Sequence, residues 1–282
     1  MPLSRFNYTK LSPEDVERIV ESAEPLRENP LYAKPAYSEV LVGKKFTLKY
    51  DNGEVLSYTF TDAHTLAWKD ADSGEEKAYY EALDLGEGVV LFYHRIGGTK
   101  PQRALIVVLD LVKNLTTAAL SVIGNAFAPR EVTRELMFGY IDRGGAAPEQ
   151  RHEVTTELLQ RSILWHYGDN LDVQQIYVSR LYLLSFDYNT TSANLVMPAP
   201  TAYIKINDHT YIHSWMEVER SGRQGFSVIN LHEMKDVGCY FGINREDKAE
   251  FFGYSGTGKL MGQFINFDLP NNYNTVFEEP PK

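Results

Sequence analysis

The chain has 282 residues, of which 43% are hydrophobic and 23% charged. That length accommodates one large or two modest domains, and the composition supports a real core rather than disorder. A formal net charge of −10, with no Lys/Arg cluster, argues against nucleic acid, since phosphate backbones repel such a surface. No apolar run approaches the ~18 residues needed to cross a bilayer, so no membrane partner is expected. The one cysteine, Cys239, excludes an internal disulfide and any thiolate cluster, and reads as a small packed hydrophobe.

Met1 to Lys10 lacks an apolar signal core, which makes a cytoplasmic location the expectation. A short helix follows: Ser12 suits the N-cap, Pro13 the first helical position, and Asp15 the acid of a capping box. Pro25, Pro30 and Pro35 then forbid a long helix and give an extended arm, which either closes a barrel end or straps the surface. From Leu41 the hydrophobic period becomes two, with Phe46, Leu48 and Tyr50 on one strand face. Asn52-Gly53 marks a hairpin, because both residues tolerate positive φ. The returning strand groups Leu56, Tyr58 and Phe60. Further strands are read at Thr65–Lys69, Lys77–Leu83, Val89–Arg95, Arg103–Leu109 and Thr116–Ile123. Short antiparallel strands joined by tight turns indicate an up-and-down barrel. The charge spacing of Arg130, Glu131, Arg134 and Glu135 suggests a short helix capping it.

The second half repeats the plan. Val107-Val-Leu-Asp-Leu111 compares with Ser227-Val-Ile-Asn-Leu231, an offset of 120 (227 − 107), and Tyr50 compares with Tyr167, an offset of 117 (167 − 50). A period of this size is one small barrel. The fold expected is all-β: two tandem lipocalin-like antiparallel barrels with an N-terminal helical arm. The arm covers 1–40, the first barrel 41–141, a Gly/Ala/Pro-rich linker 142–158, and the second barrel 159–282. Gly253-Tyr-Ser-Gly-Thr-Gly258 lacks the frame of a phosphate loop and reads as a hairpin turn.

The stretch Leu41-Val-Gly-Lys-Lys-Phe-Thr-Leu-Lys-Tyr-Asp-Asn-Gly53, with Tyr58-Thr-Phe and His64-Thr-Leu, resembles the opening of the molybdenum-cofactor-biosynthesis protein F family. Asn125-Ala-Phe-Ala-Pro-Arg-Glu-Val132 resembles the close of that family's first domain. Ile163-Leu-Trp-His-Tyr167, Ser214-Trp-Met-Glu217 and Asn230-Leu-His-Glu-Met234 resemble its second. The likeness covers roughly residues 38 to 268 and implies tandem barrels. It brings no catalytic residues. The family name implies an accessory role in molybdenum-cofactor metabolism, for which this sequence offers neither a phosphate loop nor a basic pterin pocket. A more distant likeness is to phenolic acid decarboxylases, cofactor-free barrels with a tyrosine pair, an arginine and a glutamate. The pair falls on Leu48 and Tyr50 in the first barrel and on Trp165 and Tyr167 in the second. The glutamate falls near Arg95 and on Glu217 respectively. Ala202-Tyr203-Ile204 stands where an arginine belongs, which puts that decarboxylation route in doubt.

The strand from Tyr211 to Glu219 is the richest in chemistry. Tyr211, His213, Trp215 and Glu217 share one face, and Ile212, Ser214, Met216 and Val218 the other. That first face is either a wet exterior or the wall of a ligand cavity. In the second case Glu217 and His213 are the catalytic candidates, some 13 Å apart along the strand, with Trp215, Tyr211, Trp165, Tyr167, Tyr177, Tyr203 and Tyr240 as substrate-binding candidates. Tyr93 and Arg95 form the alternative in the first barrel. No motif for a metal, flavin or nucleotide occurs, so no cofactor is expected. The expected partner is a small hydrophobic or aromatic ligand, with homo-oligomerisation left open. The functional readings are a cofactor-independent lyase, isomerase or cyclase acting on an aromatic or polyketide/terpenoid-like substrate, and a non-catalytic carrier or sensor of such a molecule.

Overall fold

A computed structural model describes residues 11–22, 24–71, 74–97, 102–124, 131–189, 196–217 and 222–263. The single helix, α1 (Pro13–Ser22), is capped as its sequence demands. Asp15 N–H donates to Ser12 Oγ at 3.1 Å, and Ser12 N–H donates back to the Asp15 carboxylate at 3.2 Å. Val16 and Val20 on its inner face are buried.

The first barrel comprises β1 (Lys45–Tyr50), β2 (Val55–Phe60), β3 (Thr65–Lys69), β4 (Glu76–Gly86), β5 (Val89–Ile96), β6 (Arg103–Asp110), β7 (Leu115–Ile123) and β8 (Val132–Ile141). Each strand pairs antiparallel with the next, and β8 returns to β1 in the register Leu48↔Ile141 and Tyr50↔Gly139. In the β1–β2 hairpin only Gly53 takes positive φ, +94°, so the turn uses one left-handed residue where the sequence allowed two.

The short strand β9 (Glu153–Val154) follows, then β10 (Arg161–Gly168), β11 (Leu171–Tyr177), β12 (Tyr182–Tyr188), β13 (Val196–Lys205), β14 (Thr210–Glu217), β15 (Arg223–Asn230), β16 (Lys235–Ile243) and β17 (Ala249–Gln263). β10 to β17 form the second barrel, closed by β10–β17 pairing, while β9 adds to β13 at Ile204 and Lys205. β6 and β15 begin at Arg103 and Arg223, and β7 and β16 at Leu115 and Lys235, so the offset of 120 seen in sequence is an offset between equivalent strands. The fold is two closed eight-stranded barrels in tandem with one short helix.

Two local expectations are overturned. Arg134 and Glu135 lie in β8, not in a capping helix; Arg130 lies outside the described residues. An i, i+4 charge pattern is worth only tenths of a kcal/mol, whereas β8 pairs along both edges to close the barrel. Gly253 to Gly258 is not a turn but part of β17. A Cβ at Gly256 would stand 2.6 Å from the Tyr167 ring, and one at Gly258 would stand 2.5 Å from the Trp165 ring. These glycines are flat places on which aromatic rings lie.

Three apolar clusters hold the molecule. One fills the first barrel with Phe46, Leu48, Tyr58, Phe60, Trp68, Phe92, Leu105 and Val107 among others. A second lines the other barrel and is rich in tyrosine and tryptophan, among them Trp165, Tyr167, Tyr203 and Trp215. The third joins outward-facing residues of both barrels, including Leu91, Ile106, Ala119, Ile212, Phe226, Cys239 and Phe241, with Val16 and Val20 of α1.

Candidate functional site

The two inner walls differ in chemistry. In the first barrel the inward polar groups include His94, which meets Tyr58 Oη at 3.2 Å, packs against Trp68 and is held down to about 4 by desolvation, and Tyr50 Oη and Trp68 Nε1, which are buried without a partner among the described residues. The second barrel's inner wall mixes apolar side chains with charges and hydroxyls. It encloses a cavity of about 510 Å³ lined by Trp215, Glu217, Tyr167, Tyr240, Gln175 and Asp187, with Arg223, Glu250 and Tyr32.

Its polar centre is a Glu–Arg–Glu cluster. Arg223 Nε donates to Glu217 Oε2 at 2.9 Å, and Arg223 Nη1 donates to Glu250 Oε2 at 2.6 Å. Asn244 Nδ2 donates to the other oxygen of Glu250 at 2.8 Å. The guanidinium also lies 4.3 Å from the centre of the Tyr240 ring. Burial opposes the arginine's charge, but Glu217 and Glu250 outweigh it and hold Arg223 well above its ordinary range.

An aromatic box adjoins this cluster. Tyr32 of the arm inserts its ring 5.4–5.7 Å from those of Tyr167, Tyr240, Phe252 and Tyr254. The arm is held over the mouth by backbone bonds from Leu26 N–H to Ala249 O and from Ala33 N–H to Tyr167 O. Gly168 permits this, since a Cβ there would stand 2.5 Å from Leu31 O. Towards the first barrel, Ser38 N–H donates to Ala82 O.

Deeper in the barrel, His213 is sandwiched between Tyr203 and Trp215, at 5.4 and 4.7 Å. Neither ring nitrogen has a hydrogen-bond partner among the described residues, nor does Tyr203 Oη. Desolvation holds this imidazole neutral, pushed down to about 3. Trp165 Nε1 donates to Tyr177 Oη at 3.3 Å, and Tyr177 donates to Gln175 at 2.9 Å. Tyr167 Oη donates to Asp236 Oδ2 at 2.5 Å. Desolvation raises Asp236 to about 7.

Of the residues singled out in sequence, Glu217, Trp215, Tyr167 and Tyr240 thus line the cavity, and His213, Tyr203, Tyr177 and Trp165 pack behind it. Tyr211 lies elsewhere on the inner wall, donating to Glu157 at 2.8 Å. Tyr93 and Arg95 are not in the cavity. They sit on the outer wall of the first barrel, in a shallow groove of about 280 Å³ with Phe251 and Glu24. Tyr93 donates to Glu81, and Arg95 pairs with Glu24. Sequence reading missed Arg223, Glu250, Tyr32 and Asp236. Two of these were accessible through the internal repeat, which aligns Arg223 with Arg103 and Asp236 with Thr116.

Among the described residues no group of three or more His, Cys, Asp or Glu side chains is placed to hold a metal ion. No described helix is long and apolar enough to cross a membrane.

Residues 32–125 match the MoaF N-terminal domain. The MoaF match runs from Tyr32 in the arm through β7, and so covers most of the first barrel but not the cavity-bearing one. A solved protein of unknown function from Nostoc punctiforme, of the DUF3598 family, is similar at a TM-score of 0.31 and 8% identity, over 88% of this chain and 98% of that one. No curated protein matches the chain.

Proposed function

We propose that the second barrel binds a small, largely aromatic molecule and acts on it without a cofactor, by lyase- or isomerase-type proton transfer. The observation that carries this reading is the contrast between the barrels: one interior is packed mostly with apolar and aromatic side chains, while its repeat holds a cavity lined by a buried Glu–Arg–Glu cluster. A volume of 510 Å³ suits a small molecule. The lining carboxylates Glu28, Asp187, Glu217, Glu246 and Glu250 outnumber Arg223 and Arg245. This favours a neutral or cationic ligand and disfavours a phosphorylated pterin, so the MoaF likeness does not by itself supply a substrate. In this reading Glu217 accepts or donates the proton, and His213 offers a neutral imidazole about 13 Å further along the same strand.

A second reading, a carrier or sensor of the same kind of molecule, is favoured by one observation: Glu217 is already engaged in an ion pair with Arg223, which it shares with Glu250. Native mass spectrometry of protein purified from its own host tests both, by showing whether a small molecule travels with it. Incubating that compound with wild type and with Glu217→Gln separates them. An enzyme converts it and loses about 10²–10⁴-fold in rate in the variant while retaining binding; a carrier returns it unchanged from both. Protein that carries no compound at all argues against either role.

A further inference from the structure

Behind Tyr167 of the cavity wall lies a hydroxyl–carboxyl network. Asp236 is fully buried on β16. Its Oδ2 accepts from Tyr167 Oη at 2.5 Å and from Ser227 Oγ at 3.1 Å, and Ser227 Oγ lies 2.7 Å from Tyr254 Oη. Asp236 Oδ1 has no partner among the described residues. Tyr167 lines the cavity, so the carboxyl reaches a ligand through that phenol.

The first barrel serves as an internal control. Its positions equivalent to Tyr167, Asp236, Ser227 and Tyr254 are Tyr50, Thr116, Val107 and Met137 by strand register. The tyrosine is kept and the acid is not. The Thr116 hydroxyl is satisfied by Val108 O at 2.9 Å, so this barrel architecture closes without a carboxyl there. Burying one is costly, and the second barrel makes further room for the network at Gly238, where the first barrel has Ala118: a Cβ at Gly238 would stand 2.4 Å from Tyr254 Oη.

We propose that Tyr167 and Asp236 are a second proton-transfer group of this barrel, in addition to Glu217, with Tyr167 as the catalytic residue that touches the ligand and Asp236 as the positioning residue that takes the proton behind it. This rests on the ligand-binding reading given above. A proton leaves a C–H or O–H bond of the ligand for Tyr167 Oη as the tyrosine's own proton passes to Asp236 Oδ2. The negative charge moves from the carboxylate to the ligand, and the reverse transfer restores both. The groups acting on Asp236 are hydroxyls of Tyr167 and Ser227, with Tyr177 and Tyr254 alongside. Lys235, next in sequence, points away to Asp84 O. Desolvation accordingly leaves Asp236 titrating near neutrality, while burial and Asp236 keep Tyr167 a phenol.

The test is a pH titration of the full chain carrying ¹³Cγ-labelled aspartate, in wild type, Asp236→Asn and Tyr167→Phe. One resonance is expected to titrate near pH 7, to vanish in Asp236→Asn, and to move up by about one unit in Tyr167→Phe, which removes a hydrogen bond favouring the charged form. A midpoint in the ordinary carboxylate range, or one indifferent to Tyr167→Phe, overturns the pair. The compound found by native mass spectrometry is then added in two buffers of different ionisation heat. Proton uptake on mixing that disappears in Asp236→Asn supports the pair, and uptake unchanged in the variant overturns it. Absence of any co-purifying compound counts against the ligand-binding reading instead, so the two failures are distinguishable.

Discussion

Single side chains in this protein carry opposite pH signatures. The Asp236 carboxyl ionises near 3.8 when unfolded and about 7 when folded. Between those values only the folded state holds the proton, so its contribution to stability falls as pH rises and is flat above about 7. The shift corresponds to roughly 4 kcal/mol. Urea unfolding should therefore show Asp236→Asn gaining on wild type as pH climbs through this window; a difference that does not change with pH would count against a buried ionisable acid. His94 and His213 act in the other direction. Their folded values are pushed down to about 4 and about 3, so below 6.5 the unfolded imidazoles take protons that the folded ones refuse. Stability is lost as pH falls through that range, and His213→Phe, which cannot be protonated, is expected to flatten the acid limb. An unflattened limb would mean that His213 is solvated.

At the level of elements, the arm is held over the cavity by few bonds and one glycine. Gly168→Ala drives a Cβ against Leu31 O, and we expect faster proteolytic cleavage between Leu26 and Ala33. Gly145→Ala, with nothing within 4 Å of its added carbon, should leave cleavage unchanged. Equal rates in the two variants would show that the arm does not rest on Gly168. Most strands were legible from period-two patterning, as at Phe46, Leu48 and Tyr50, because one face of β1 is buried and the other half-buried. The face of β14 that looks inward was not, because residues 210–215 are all buried: Tyr211, His213 and Trp215 face the barrel interior, while Ile212 packs against the sister barrel. A strand buried on both sides loses the alternation that would orient it. β8 and β17 were misread for a related reason. Local charge spacing and glycine content are weak signals, and barrel closure overrides them. Tyr32 was invisible as a site residue, since what brings it to Tyr167 is tertiary packing that no local motif encodes, whereas Arg223 is the cross-strand partner of Glu217 and was open to the hairpin register and the repeat.

Across the whole molecule, the shared cluster makes the two barrels one cooperative body. Phe226, fully buried there, should cost about 3–5 kcal/mol on truncation to Ala, read as one shifted unfolding transition rather than a transition split in two. Polar contacts cross the same junction: Arg134 donates to Ser214 Oγ at 2.6 Å, and Ser121 donates to Gln224 at 2.5 Å. Proteolytic nicking between Gly144 and Gln150 is therefore expected to yield pieces that co-elute on gel filtration; two independently migrating folded halves would contradict a common core. The doubly buried strands have a kinetic consequence too. β14, β15 and β16 carry almost unbroken burial, whereas β12 is mostly open. Amide exchange should be slowest along the junction and fastest along β12 and the arm. The cavity thus lies between a densely buried wall and a more open one, and under the proposed ligand-binding reading exchange of the ligand is expected through local opening of the β12 side while the seam between the barrels stays shut.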